Sequence, residues 1–261
     1  MDKGKTSGEN VLKSFAAETT GRFARIWNLL SRIPLPGLNA REFPEPADLV
    51  LAPVAGALLA LPATILAVTA GRFTDCSIAA WLALVVYVAS GWSLHLDGLS
   101  DMADALGSGA KGEQALAIMK DSRAGTFGVI ALVASLVLWG LLTGNLLERG
   151  LFAAIPLSAG AARAGLCLAA WRGSSPFSGG MGKAVVEGFD GRLFMASLAA
   201  TGLLLPLAPG IWLLCLCGGL AGGELVEIVS RETPGGVTGD VLGASAVVGE
   251  LLSLLAVVFF A

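Results

Sequence analysis

The stretch that decides the fold is WLALVVYVASGWSLHLDGLSDMAD, residues 81–104. It continues an uncharged run that begins near residue 77 and ends at Leu96, and three aspartates, Asp97, Asp101 and Asp104, follow in quick succession. A run of about 20 such residues is long enough to cross a hydrocarbon layer of roughly 30 Å as a helix. The chain therefore places a group of carboxylates at the end of a membrane span.

The rest of the chain repeats this apolar character. Hydrophobic residues make up 55% of the 261 residues and charged residues 14%, whereas soluble domains carry roughly 25% charged residues. The sequence predicts an all-α fold, a polytopic integral membrane helical bundle with about seven transmembrane helices. The candidate spans are 48–70, 77–96, 125–147, 150–171, 194–208, 210–230 and 240–261.

An amphipathic segment precedes the first span. In residues 11–33, Phe23, Ile26, Trp27 and Leu30 recur at the spacing of one helix face, while the arginines lie off that face. This pattern predicts a helix lying in the membrane interface. We expect residues 1–46 to form a cytoplasmic N-terminal segment containing this helix, and residues 47–261 to form a single transmembrane catalytic domain.

Lysine and arginine placement predicts the orientation. Seven of these residues precede the first span and seven lie in the loops after spans two, four and six, against two, Arg72 and Arg149, in the opposite loops. The positive-inside rule then places the first group in the cytoplasm. We expect a multi-pass protein of the bacterial cytoplasmic (inner) membrane whose active site faces the cytoplasm, because the polar, glycine-rich loops lie on that side.

Charge and cysteine usage exclude two classes. The net charge of −3 gives no overall basic field, so nucleic acid is not expected as a partner. The four cysteines form no CxxC pair and there is one histidine, so a Cys/His zinc site is not predicted.

The three aspartates share one face if the second span continues as a helix. At 100° per residue, Asp97, Asp101 and Asp104 fall within about 60° of one another. No lysine or arginine lies between residues 73 and 110 to compensate them. Mg²⁺ prefers oxygen ligands and keeps positions for water and substrate phosphate, so these carboxylates are candidate metal ligands. A solvated helix face is the alternative. His95 points away from the aspartates unless Gly98 bends the chain, so both packing and substrate binding stay open for it.

Two glycine-containing stretches add candidates. KDSRAGTFG (120–128) places Asp121 between Lys120 and Arg123, and GGVTGDVLG (235–243) places Thr238 and Asp240 at the start of the last span. Helix N-termini and glycine-rich backbone favour phosphate. A simple N-cap is the alternative for Asp240.

Arg163 lies inside the fourth span. An intramembrane arginine costs at least about 2.5 kcal/mol on insertion scales and needs a partner. A substrate phosphate or a site aspartate would serve, and an ion pair with Glu224, Glu227 or Glu250 is the alternative.

Several of these stretches together resemble the cobalamin synthase family, adenosylcobinamide-GDP ribazoletransferase. The most specific are HLDGLSDMADALG (95–107) and IMKDSRAGTFGVIAL (118–132). The other blocks, in the family's order, are SRIPLPG (31–37), LAPVAGALLA (51–60), SAGAARAG (158–165), GGMGKAVVEG (179–188) and GGVTGDVLGA (235–244).

The resemblance implies transfer of the cobinamide-phosphate moiety of adenosylcobinamide-GDP to α-ribazole or its 5′-phosphate, with release of GMP and with Mg²⁺ as cofactor, late in cobalamin biosynthesis. Asp97, Asp101 and Asp104 would then hold metal. Asp104 or Asp121 would accept the hydroxyl proton. Lys120, Arg123 and Arg163 would hold phosphate oxygens. His95, Thr238 and Asp240 are further substrate-binding candidates.

Two other functions stay as alternatives. A CDP-alcohol phosphotransferase making phospholipid has a related spaced-aspartate motif, but the Ala-Arg pair expected after Asp97-Gly98 is missing. An ion-coupled transporter would use Arg163 and Glu250 along a pathway, yet the chain shows no internal repeat of the kind typical of transporters. The expected partners are the two substrates and the lipid bilayer, and the sequence leaves open whether the chain forms a homo-oligomer.

Overall fold

The computed structural model describes residues 3–37, 42–178 and 181–261, and within these ranges the regular structure is helical. The predicted all-α fold class is confirmed. The two glycines that open the block at 179–188 lie outside the described residues. The helices are α1 (Lys3–Leu30), α2 (Ala52–Ala70), α3 (Cys76–Tyr87), α4 (Ser93–Gly107), α5 (Glu113–Met119), α6 (Thr126–Glu148), α7 (Ala154–Arg172), α8 (Met181–Gly188), α9 (Gly191–Thr201), α10 (Pro209–Glu232) and α11 (Gly239–Phe260).

Six segments in the described ranges are long and apolar enough to cross a membrane, which confirms the multi-pass prediction. They are Pro46–Ala70, Cys76–Gly107, Thr126–Glu148, Ala154–Arg172, Pro209–Glu232 and Gly239–Phe260. The expected fifth span, 194–208, is shorter than predicted: α9 continues only as a 3-10 segment, Gly202–Leu207. Pro206 lies inside this 3-10 segment, where it cannot donate an amide hydrogen bond, and Pro209 opens the next helix, α10.

Helices α7 and α10 pack in parallel through glycines. A Cβ atom at Gly219 would meet the backbone of Ala161, and one at Gly223 would meet the backbone of Gly165. Residue numbers therefore rise in the same direction along both helices. The small-residue pattern of 218–223 therefore allows the close packing that the sequence predicts. Because two consecutive long helices run in parallel, the chain between them has to return across the bundle.

That return is made by α9 and the 3-10 segment after it. The Phe194 ring stacks on Trp171 near the end of α7 with 4.8 Å between ring centroids. Leu204 reaches the position beside Gly160, near the start of α7. This short segment therefore runs antiparallel to α7, and the alternation of chain direction expected for seven crossings is kept.

A kink separates α3 from α4. Gly91 has a φ of 147° inside the irregular segment Val88–Trp92, a conformation that favours glycine. A Cβ atom at Gly91 would meet the carbonyl of Leu30, and the Arg32 amide donates to Ser90 O at 2.7 Å. The kink therefore fits the end of α1 and sets the direction in which α4 presents its aspartates.

The apolar face of α1 packs against the bundle near the end of the helix. Ile26, Trp27 and Leu30 are each at most 4% exposed. Arg25 donates to both carboxylate oxygens of Asp48 at 2.6 and 2.9 Å. The bundle thus covers this part of the amphipathic face, and the position of α1 in the membrane interface stays a prediction.

Candidate active site

The first two aspartates of α4 open into a cleft of about 530 Å³ between α4, α6 and the connection from α5 to α6. Asp97 and Asp101 line it on one side, and Lys120 and Asp121 line it from the connection. Met102, on the opposite face of α4, is 5% exposed and belongs to the apolar core. The structure thus brings together two predicted metal ligands and two predicted catalytic residues.

Asp104 is turned to the beginning of α6. Its carboxylate accepts the Gly125 amide at 2.6 Å and the Gly128 amide at 2.8 Å. A Cβ atom at either glycine would collide with this carboxylate, which explains both glycines of the GTFG stretch. Asp104 is still near enough to Asp101 for electrostatic repulsion. Each of its oxygens accepts one amide and keeps a second lone pair, so metal binding by Asp104 stays a prediction. Within the described ranges, no three His, Cys, Asp or Glu side chains converge on a point where they could hold a metal ion.

Asp240 approaches the α4 aspartates from the start of α11. A Cβ atom at Gly98 would lie 2.6 Å from the Asp240 carbonyl oxygen, so this glycine allows α4 and α11 to come together. The Asp240 carboxylate is near enough to Asp97 and Asp101 for electrostatic repulsion. Thr238 caps α11, accepting the Val241 amide at 3.2 Å, and is 2% exposed. The acidic cluster is thus built from two helices.

The loop at the mouth of the cleft is organised by an ion pair. Arg123 donates to both carboxylate oxygens of Asp121, at 3.0 and 2.7 Å. These hydrogen bonds lower the pKa of Asp121 to about 2. Lys120 lies with its ammonium 5.1 Å from the centre of the Phe177 ring, a cation–π contact. Lys120 is therefore the cation of this loop that lines the cleft, while Arg123 is engaged with its neighbour.

Arg163 lies in neither of the two clefts that the structure describes. It is fully buried, and its Nη1 donates to Glu250 at 2.9 Å, to Tyr87 at 3.2 Å and to the Ala159 carbonyl at 3.1 Å. Glu250 of α11 is therefore its charged partner, while Nε and Nη2 of Arg163 have no hydrogen-bond partner among the described residues. The ion pair that the sequence left as an alternative is present, and binding of a substrate phosphate by Arg163 stays a prediction.

Sequence reasoning missed the aromatic part of this cluster. Tyr87 and Trp139 both donate to Glu250, at 2.9 and 3.0 Å, and both are fully buried. Tyr87 is the one tyrosine in the chain. A tyrosine and a tryptophan inside apolar spans could have signalled a buried acceptor, because their polar hydrogens need a partner.

His95 is buried, with 3% of its surface exposed, and lines a second cleft on the other flank of α4. Its Nε2 has no hydrogen-bond partner among the described residues. His95 does not line the first cleft. Its position agrees with the prediction that, on a regular helix, His95 points away from the aspartates.

The fold and the first cleft define a class: a polytopic membrane protein with an acidic, lysine-containing site. A profile of the cobalamin-5-phosphate synthase family matches residues 22–258. The chain therefore belongs to this family, and the prediction of a transferase of cobalamin biosynthesis with several membrane-spanning helices is confirmed.

Individual relatives agree over most of their length. The adenosylcobinamide-GDP ribazoletransferase of Rhizobium etli (strain CIAT 652) is 34% identical, with 94% of this chain and 97% of the relative covered. The enzyme of Mesorhizobium japonicum is 37% identical, with 86% of this chain and 88% of the relative covered. The enzyme of Citrobacter koseri is 31% identical, with 87% of this chain and 95% of the relative covered. No solved structure matches the chain.

Proposed function

We propose that this chain transfers the cobinamide-phosphate moiety of adenosylcobinamide-GDP to α-ribazole or α-ribazole 5′-phosphate. A ribose hydroxyl oxygen of the acceptor forms a bond to the phosphorus that carries cobinamide. The bond from that phosphorus to GMP breaks, and the hydroxyl proton passes to a base. The observation that carries the proposal is the shared cleft of Asp97, Asp101 and Lys120 in a member of this family.

Lys120 is assigned to the pyrophosphate. An ammonium group stabilises the negative charge that develops on the phosphate oxygens, and this stabilisation is stronger where water is excluded. Arg123 would contribute only after leaving Asp121, so it is assigned to substrate entry rather than to the reacting phosphorus. Asp121 is a weak general base, because a carboxyl with a pKa of about 2 has little tendency to take up a proton. Proton acceptance is therefore assigned to the carboxylates near the junction of α4 and α11.

The oxygen donors of the cleft fit Mg²⁺. Asp97 and Asp101 would hold it, and Mg²⁺ is usually bound by one or two carboxylates while water and substrate phosphates complete its shell. A full set of three protein ligands is therefore not required. When bound, the ion neutralises charge on the phosphate oxygens.

The cleft is assigned to the cytoplasmic face. The lysines and arginines in the loops beside it include Lys111, Lys120 and Arg123, and the positive-inside rule favours that side. Arg149, from one of the two sparsely charged loops, donates to Val258 O near the other end of α11. With residues 1–46 as the cytoplasmic N-terminal segment and 47–261 as the catalytic domain, the soluble substrates would meet the protein from the cytoplasm.

The test uses purified protein in nanodiscs, mixed with adenosylcobinamide-GDP and α-ribazole 5′-phosphate in Mg²⁺ or in EDTA. GMP release and corrinoid product are followed together. Asp101→Asn should abolish Mg²⁺-dependent turnover while the protein stays folded, and Glu148→Gln, an exposed acid at the far end of α6, should behave as wild type. Full activity in Asp101→Asn would remove the metal-site assignment, and product formation only from a CDP-linked donor would overturn the reaction.

A further inference from the structure

The second cleft has a different character from the first. It has a volume of about 310 Å³ between α1, α4, α7, α8 and α11, and its walls are mainly aliphatic, with Ile26, Leu30, Leu49 and Leu166 among them. Cavities of about 300–1,000 Å³ with apolar walls and a few placed polar groups are typical small-molecule sites. The cleft therefore has the form of a binding site for an apolar group.

Three polar residues line this apolar cleft. His95 is one, and Asp97 and Asp240 are the others. Because His95 is 3% exposed and its Nε2 lacks a partner in the described part of the chain, the imidazole carries an unused hydrogen-bonding position beside the cleft. Leaving such a buried group unpaired is unfavourable, and a ligand that accepts its hydrogen bond would remove that cost.

The two clefts lie on opposite flanks of the α4 aspartates. On α4, Leu94 and His95 face the apolar cleft, whereas Leu96 and Ser100 face the polar one, and Asp97 lines both. Displacement at phosphorus requires the attacking and leaving oxygens to be roughly in line on opposite sides. If the pyrophosphate lies beside Lys120, the attacking hydroxyl enters from the apolar side.

The chemistry of the substrates decides the occupant. A guanine base presents several hydrogen-bonding groups and would leave them unpaired against aliphatic walls, and a corrin ring with its amide side chains exceeds the space. The aromatic base of a ribazole is flat and largely apolar, and its unsubstituted ring nitrogen accepts one hydrogen bond. A neutral imidazole that carries its proton on Nε2 donates one.

We propose that the apolar cleft between α1, α4 and α11 binds the aromatic base of the ribazole acceptor, and that His95 Nε2 donates a hydrogen bond to its free ring nitrogen. This inference rests on the proposed transfer reaction. The ribose then lies towards Asp97 and Asp240, with its hydroxyl at the junction of the two clefts.

The first experiment measures binding of α-ribazole alone to the full chain in nanodiscs by titration calorimetry, in EDTA and without donor. Gly239→Leu narrows the apolar cleft, because a Cβ atom there has nothing within 4 Å. Gly210→Leu is the matched control: it also stands in the first turn of a helix with open space around it, but lines neither cleft. We expect Gly239→Leu to weaken ribazole binding at least tenfold and Gly210→Leu to leave it unchanged.

The second experiment isolates the hydrogen bond. His95→Phe should raise the acceptor KM about three- to tenfold, the range for loss of one neutral hydrogen bond, with the donor KM unchanged. An indole analogue of ribazole, which replaces the free ring nitrogen by carbon, should lose the same factor with wild type and nothing further with His95→Phe. If the losses from His95→Phe and from the indole analogue add together, the hydrogen bond between His95 and the ring nitrogen is contradicted.

The outcomes separate the two proposals. Ribazole binding that requires Gly239 to be small, without turnover of the donor, would keep the cleft assignment and refute the reaction. Normal turnover with unaltered ribazole affinity in Gly239→Leu, or a tightly held phospholipid in the cleft that ribazole does not displace, would refute the cleft assignment and leave the reaction standing.

Discussion

The buried pair of Arg163 and Glu250 gives the sharpest test of the structure. Glu250 is fully buried and accepts hydrogen bonds from Arg163, Tyr87 and Trp139. In Glu250→Gln the amide still has one oxygen for the aromatic donors, but the arginine charge loses its counter-charge inside the bundle. Breaking a buried pair in this way costs about 3–5 kcal/mol of unfolding free energy, because the remaining charge stays desolvated.

The double variant removes the charge as well as its partner. Arg163→Met combined with Glu250→Gln should recover most of the loss, since replacing a buried pair with neutral groups of similar volume is often neutral or stabilising. The control is the partly exposed pair of Arg172 and Glu224, 3.2 Å apart with side chains 42% and 34% exposed. Glu224→Gln should cost about 0–1 kcal/mol.

The assay is reversible unfolding in mixed micelles of rising dodecyl sulfate fraction, followed by circular dichroism, with turnover measured on the same preparations. A Glu250→Gln variant no less stable than Glu224→Gln would refute the buried pair. A double variant as stable as wild type but devoid of turnover would instead place Arg163 on the substrate, as the sequence first suggested.

Three further predictions concern the site. Gly98→Ala should lower stability by about 1–3 kcal/mol and reduce turnover, because the new Cβ atom would lie 2.6 Å from the Asp240 carbonyl oxygen. The control is Gly202→Ala, whose Cβ atom would meet nothing within 4 Å. Equal stability and turnover in the two variants would refute the close approach of α4 and α11. Asp104→Ala should lose about 0.5–2 kcal/mol through the uncapped start of α6, measured by the same unfolding assay, and an unchanged midpoint would contradict that role. Arg123→Gln should let the pKa of Asp121 rise from about 2 towards the ordinary value near 4, so that Asp121 becomes protonated below about pH 4; the ¹³C carboxyl shift of that residue followed against pH checks this.

Local patterns were sufficient for the architecture and for part of the site. The apolar runs required helices long enough for a bilayer, and the spacing of Asp97 and Asp101 put both on one face of α4. The sequence marks the glycines at 98, 125 and 128 as candidates for close backbone contacts. It does not indicate which residues they contact. Those contacts join helices far apart in the chain, and no local rule fixes which backbone will approach a missing side chain.

The order of the apolar segments, the family motifs and the shared face of the α4 carboxylates were determined by the sequence itself, because helical periodicity and hydrocarbon thickness act within a single segment. The length of the fifth segment was not. Tertiary structure alone decided the partners. It selected Glu250 for Arg163 from three glutamates, turned Asp104 to the start of α6, brought Asp240 beside the α4 aspartates and covered part of the apolar face of α1 with protein. Each of these depends on which helices pack side by side, a choice made by the burial and close packing of the whole bundle.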